Sequence, residues 1–201
     1  MAGRPQECDR AEAVRRAALQ FWRTGLEGTS VDDLVATTGM NRFGLYGELG
    51  GKKGLFLKAC DAYSRESAER LLEPLRTAPE PVAALKQFFR LIIDRQLGDD
   101  AAVPSGCFMA RTLSQEAATD PEIRQAVWAH FKRLESGLAQ TLARAAGCSP
   151  ASARARTAAI LLLNTLFGLL QTARLHPSKS VLNRIADAAV RDAVQLCRGD
   201  S

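Results

Sequence analysis

The strongest constraint on the fold lies between Thr29 and Phe56, in "TSVDDLVATTGMNRFGLYGELGGKKGLF". A hydroxyl at Thr29 or Ser30 can cap a short helix, and Asp32 and Asp33 stand in its first turn, where the helix dipole favours acids. Val31, Leu34 and Val35 form its apolar stripe, and Gly39 can close it in the left-handed conformation. Asn41 can cap a second short segment with Leu45, Tyr46 and Leu49 on its inner side. Helices of about two turns are not stable alone. Two of them across one tight turn must therefore pack on each other and on a third element, as in a helix-turn-helix unit. Gly44, Gly47, Gly50 and Gly51 soften the second segment by about 1 kcal/mol each relative to alanine. Gly44 and Gly47 are expected on the exposed side, where missing side chains would let backbone approach a groove.

The rest of the chain also reads as helix. No hairpin dipeptide joins alternating strands. Ala13, Val14, Ala17, Ala18, Phe21 and Trp22 keep one helical face after a cap at Asp9, and Gly25 suits the stop. A longer connecting helix is expected over 52–75, with Pro74, Pro79 and Pro81 marking a boundary. Further helices are expected at Pro81–Leu97, Gly106–Ala118, Pro121–Ala146 after Asp120, Ala151–Leu175 and Ser178–Cys197. The expected fold is all-α, with about nine helices in total. A three-helix DNA-binding head would occupy residues 1–50, and a ligand-binding and dimerisation bundle residues 51–201.

Charge argues weakly. The net charge is +5, yet residues 1–60 carry nine Lys/Arg against seven Asp/Glu, a net of +2. A polyanionic partner is permitted, and the case must rest on position. The longest apolar run, Ala158–Leu163, stops at Asn164, short of a membrane span, and "MAGRPQECDR" has no secretory apolar core. A cytoplasmic protein without a membrane partner is expected. The five cysteines, Cys8, Cys60, Cys107, Cys148 and Cys197, are scattered, and the two histidines, His130 and His176, stand alone. No disulfide framework, metal site or cofactor motif follows. Both histidines are expected as surface or capping residues, and Glu116 and Asp120 as solvated or capping acids. No catalytic triad, phosphate loop or dinucleotide fingerprint appears, which argues against an enzyme.

The stretch "AALQFWRTGLEGTSVDDLVATTGMNRFGLYGELGGKKGLF" (Ala17–Phe56) resembles the tetracycline-repressor (TetR) family of transcriptional regulators. The match is strong over about residues 9–60 and looser beyond, although "SGCFMARTLSQEAATDPEIR" (Ser105–Arg124) is similar to the effector domain of one branch. The resemblance implies double-stranded operator DNA as partner. It places Thr29 and Ser30 on a phosphate, Asn41, Arg42, Phe43 and Gly44 at the base-reading end, and Tyr46 and Lys52 on further phosphates. Three positions depart from the family pattern: Leu49 where an aromatic is usual, Gly44 for Ser or Thr, and bulky Phe43 for a small residue or proline.

The second block is where a small-molecule effector is expected. Phe88, Phe89, Ile92, Phe108, Met109, Trp128 and Phe131 are its candidate lining, which favours an apolar or aromatic ligand. Cys107, near the start of a helix, could be a thiol sensor of electrophiles if the dipole favours thiolate. Residues 158–175 are apolar around most of the circumference. Leu163, Leu166, Phe167 and Leu170, with Ile185 and Ala189, are the candidate homodimer interface, so that two heads read two half-sites. The sequence leads to a ligand-responsive repressor. The alternatives are a sensor acting through Cys107 and an interaction module without DNA binding.

Overall fold

The computed structural model describes residues 10–98, 104–175 and 178–199, and among them the regular structure is helical throughout. The expected cap Asp9, together with Cys8 and His176, lies outside the described residues. Helices α1 (Arg10–Thr24), α2 (Val31–Thr38) and α3 (Arg42–Leu49) precede the long α4 (Gly51–Thr77). Helices α5 (Pro81–Leu97), α6 (Phe108–Ser114), α7 (Pro121–Ala146), α8 (Ala153–Thr172) and α9 (Lys179–Arg198) follow.

Local chemistry sets most of these boundaries. Ser30, not Thr29, caps α2: its hydroxyl accepts from the Asp33 N–H at 3.1 Å, and the Asp33 carboxylate accepts the Ser30 N–H at 2.9 Å. This reciprocal pair satisfies two orphan donors at once. Gly39 ends the helix at φ 73. Asn41 caps α3 by accepting the Gly44 N–H at 2.7 Å. Asp120 caps α7 by accepting from Glu122 and Ile123.

Two elements depart from the periodicity. Pro74 does not end α4, which continues one turn to Thr77; the Arg144 guanidinium accounts for the freed end by donating to the carbonyls of Leu75 and Arg76 at 2.9 and 2.8 Å. The segment Gly106–Ala118 is not one helix. It breaks at Gln115 and resumes as a 3-10 turn over Glu116–Ala118.

Two cores result. The first unites α1 to α4 around Phe21, Leu34, Leu45 and Phe56, and it takes in Phe108, Met109, Ile123 and Val127 from α6 and α7. The packing of the head thus runs well past residue 50. The second core lies among α4, α5, α7, α8 and α9, with Leu85, Phe89, Leu138, Leu162 and Val190. Helix α8 is long and apolar enough to cross a membrane by length and composition. Its Ala155, Ala158, Ala159 and Leu162 are buried among neighbouring helices, as in the central helix of a bundle.

Candidate nucleic-acid interface and central cavity

Helix α3 is held from below by Leu45 and Leu49, which are buried in the same head core as Leu34 and Phe56. Its outer face is left to solvent. Phe43 is 87% exposed and Tyr46 59% exposed. Arg42 beside them pairs with Asp32 of α2. Lys52 is half-buried at the start of α4. A corner of two consecutive glycines, Gly50 (φ 75) and Gly51 (φ 72), turns the chain from α3 into α4. A Cβ on Gly51 would meet the Tyr46 ring at 3.2 Å, and one on Gly54 would lie 1.8 Å from the Leu49 carbonyl oxygen. Only glycine permits that crossing, so Gly54 fixes the angle at which α3 leaves α4.

Several expected contacts change character. Thr29 is buried: its hydroxyl donates to the Gly25 carbonyl at 2.6 Å and lies 2.7 Å from the Thr24 hydroxyl. It ties the end of α1 to the start of α2 and is not available to a phosphate; Ser30 is exposed. The Asn41 oxygen is engaged as the helix cap, which leaves its amide N–H groups as the outward polar groups. Gly44 and Gly47 differ. A Cβ at 44 would come within 3.3 Å of the Asn41 oxygen, whereas one at 47 would meet nothing within 4 Å. Gly44 makes room for a cap, and only Gly47 lies on open surface. Tyr46 faces out, not into the head core.

A cavity of about 310 Å³ opens among α4, α5, α7 and α8. Tyr63, Ser67 and Arg70 approach it from α4, and Ile92, Arg95 and Gln96 from α5. Cys107, His130, Leu134 and Phe167 complete much of the wall. Of the expected lining residues only Ile92 is in that wall. Phe88 and Phe89 pack edge to face in the bundle core, with ring centroids 5.3 Å apart. Phe108 and Met109 belong to the head core, where Phe108 meets Phe56 at 5.7 Å and Tyr63 at 5.6 Å. Trp128 is 61% exposed on the outer face of α7, under the Lys132 ammonium at 5.3 Å. Phe131 stands behind the wall, its ring 4.7 Å from that of Phe167. An apolar count along the sequence does not distinguish core from cavity. No local signal separates them: Tyr63, Ser67 and Arg70 share one face of α4, but Lys58, Asp61, Arg65, Glu66 and Glu69 are exposed polar residues of the same helix.

The polar groups of the wall are mostly occupied. The Tyr63 hydroxyl donates to Cys107 Sγ at 3.6 Å. Gln96 accepts the Gly106 N–H at 2.6 Å and donates to the Gly106 carbonyl at 3.3 Å. His130 is buried, not at the surface as expected, with Nδ1 3.0 Å from the Ser64 hydroxyl. Burial first, and the Arg133 charge second, push its pKa down to about 4, so the imidazole is neutral near pH 7. Burial pushes the Cys107 thiol up, and the bonds from Tyr63 and two backbone N–H groups oppose this only in part. The expected activation of that thiol by a helix start is therefore overridden by desolvation.

The dimer candidates divide as well. Leu163, Leu166 and Leu170 are buried within the chain, and Phe167 lines the cavity. Ala189 is half-buried and Ile185 exposed. The exposed apolar residues of this part are Ile160, Leu161 and Leu175 on or just after α8, with Val181, Ile185 and Leu196 on α9.

Arg111, Glu116 and Lys53 join the cavity region to the head. Arg111 of α6 donates to the Phe21 and Trp22 carbonyls at 2.8 and 2.9 Å, capping the end of α1. Glu116 accepts the Leu26 N–H at 2.9 Å, which is the use of the break at Gln115. Lys53 pairs with Asp120 at 2.7 Å and Glu122 at 2.6 Å, tying α4 to α7.

Known proteins share both the sequence pattern and this architecture. Residues 81–188 match the family described as "Transcriptional regulator LmrA/YxaF-like, C-terminal domain". The HTH-type transcriptional repressor ComR of Escherichia coli is 32% identical over 141 residues, which cover 70% of this chain and 66% of ComR, about two thirds of its length. An HTH-type regulator of Bacillus subtilis, YezE, is 29% identical over 71% of this chain and 73% of its own. A cysteine-substituted TetR-family regulator, CifR, solved in complex with 26-bp operator DNA, superposes with a TM-score of 0.76 at 26% identity, covering 94% of this chain and 98% of CifR. A TetR-family regulator from Streptomyces coelicolor shares the fold with a TM-score of 0.75 at 19% identity, over 97% of this chain and 92% of its own. With its capped helix-turn-helix and a C-terminal match over more than half of the sequence, the chain belongs to the TetR family of transcriptional regulators.

Proposed function

We propose that the protein is a cytoplasmic, homodimeric repressor that holds a near-palindromic operator and releases it when a small molecule fills the central cavity. The observation that carries the DNA reading is the outer face of α3. Phe43, Tyr46 and Arg42 stand exposed on a helix whose other side is sealed into the head core. Such a helix fits a major groove about 12 Å wide. In this reading the Asn41 amide and Arg42 face base edges, Phe43 meets a thymine methyl, and backbone at Gly47 approaches closely. Ser30, Tyr46 and Lys52 hold phosphates. Arg42 exchanges Asp32 for DNA on binding.

The dimer would form on the exposed stripe of Ile160, Leu161, Val181, Ile185 and Leu196, with Leu175 beside it, in place of the buried leucines first expected. Symmetric pairing of α8 and α9 brings two heads to one DNA face. Release would be a population shift, the ligand preferring a conformation that does not fit DNA. The Arg111 and Glu116 bonds support this route, because movement at the cavity wall near Cys107 is passed to the end of α1.

A mobility-shift titration with the upstream region of the protein's own gene tests the DNA reading. Retardation should weaken with salt, and Lys52→Ala should reduce the salt slope by about one. Tyr46→Phe should weaken binding without loss of fold. Failure of the folded wild-type protein to retard this DNA or any member of a random duplex pool would overturn it.

A further inference from the structure

We propose that the ligand of the central cavity is an amphiphilic anion, with an apolar body between α5 and α8 and one oxyanion head held by Arg70 and Arg95. The inference rests on reading the cavity as the effector site and adds the chemical class of its ligand.

The arginines of α4 and α5 carry the inference. Arg65 pairs with Asp61, Arg76 with Glu69 and Glu73, and Arg90 with Asp187. Arg70 and Arg95 are the remaining two on these helices, and both line the cavity. Among the described residues neither has an ion-pair partner, and no carboxylate lines this cavity. Glu66 borders an adjoining groove that both arginines share, and it pairs with neither. The guanidinium of Arg95 lies over the Trp22 ring, 6.0 Å from its centroid, and Arg70 and Arg95 are both exposed.

Deeper in, polar groups are already used. Tyr63 is bonded to Cys107, His130 contacts Ser64, and Gln96 is bonded to Gly106. Leu134, Leu166, Phe167 and Leu170 supply the opposite wall. A fully polar ligand would find few free partners there, and a fully apolar one would leave two guanidinium forks unused. Arginine forks match the geometry of carboxylate and phosphate oxygens. A volume of about 310 Å³ stands at the small end of ligand sites, which limits the body to a short chain or one or two rings.

The test uses the full-length protein and displacement of the neutral fluorescent dye N-phenyl-1-naphthylamine. Decanoate, decyl phosphate and decanol share one chain and differ only in the head. At least one of the two anions should displace the dye about tenfold more tightly than decanol, a difference of the size that charge-assisted bonds supply. Which anion wins separates a carboxylate ligand from a phosphate monoester. Arg70→Ala and Arg95→Ala should each reduce that preference, and the double variant should abolish it while decanol binds as before. Arg65→Ala on the same helix should leave it intact. Equal displacement by anions and alcohol, or a preference that survives the double variant, overturns the proposal but leaves the cavity as an effector site. If the dye and all three probes fail to bind, the effector reading itself falls, and this proposal with it.

Discussion

The two cores of the molecule are built from different material. The head core is sealed with aromatic rings: Phe21, Trp22, Phe56, Tyr63 and Phe108 form a chain of contacts with centroids 4.9 to 6.3 Å apart. The bundle core rests mainly on leucine, among them Leu85, Leu138, Leu142, Leu162 and Leu182, and among the described residues its phenyl rings meet only in the pairs Phe88–Phe89 and Phe131–Phe167. Rings in edge contact fill space closely and resist deformation. A gap of about 310 Å³ remains on the bundle side, among α4, α5, α7 and α8. The two regions thus differ in how many rings interlock, and the cavity lies on the side where fewer do. Phe108 belongs by sequence to the second unit and by packing to the first, so it joins them.

The comparison can be broken most directly at that ring. Phe108→Ala should cost about 3–5 kcal/mol in urea unfolding, as large aromatic truncations in cores do. Phe167→Ala, at the half-buried cavity wall, should cost less than half as much. Equal losses would mean that the two regions do not differ in packing.

His130 gives the next largest effect and sharpens the picture of the cavity wall. Its folded pKa of about 4 lies below its ordinary value of 6.5, so the unfolded chain binds the extra proton first as pH falls. The full contribution is present above pH 6.5 and is lost as pH falls toward about 4. The loss over that window should be on the order of 3 kcal/mol. Urea midpoints against pH should show this slope in the wild-type protein and not in His130→Gln. A slope unchanged in the variant would place its origin elsewhere.

Smaller effects separate the two surfaces of the head. Gly47→Ala should stabilise α3 by about 1 kcal/mol, seen as a higher Tm, because open space surrounds the position. If backbone approach to DNA is what the glycine provides, affinity should fall at the same time. A rise in both would remove Gly47 from the interface. Asp32→Asn should have the least influence on stability, since exposed ion pairs contribute about 0–1 kcal/mol. It frees Arg42 and removes a negative charge, so DNA affinity should rise by roughly threefold at low salt and less at high salt. No change in anisotropy titrations would show that neither Arg42 nor the charge at position 32 meets DNA.

Much of the fold was legible along the chain. Pro81–Leu97 and Pro121–Ala146 begin and end where proline, cap and apolar spacing put them. So does the turn between α2 and α3, because Ser30, Gly39 and Asn41 act on backbone groups within four residues. Gly54 went unread in the sequence, and its role appears only where α4 crosses the Leu49 carbonyl. Trp128 and Phe131 look alike in sequence, yet one is at the surface and the other against Phe167.

The sequence alone determined most of the caps, the helical period and the family pattern, since these depend on neighbours a turn or two away; the choice of Ser30 over Thr29 waited on the structure. The tertiary structure decided which side of α8 faces its own core and which remains for a partner, because that helix is apolar on too many sides for periodicity to choose. It also decided the cavity. A cavity is the space left among side chains of helices far apart in the chain, and no residue in its wall, Arg70 and Arg95 included, carries a local sign that it borders one.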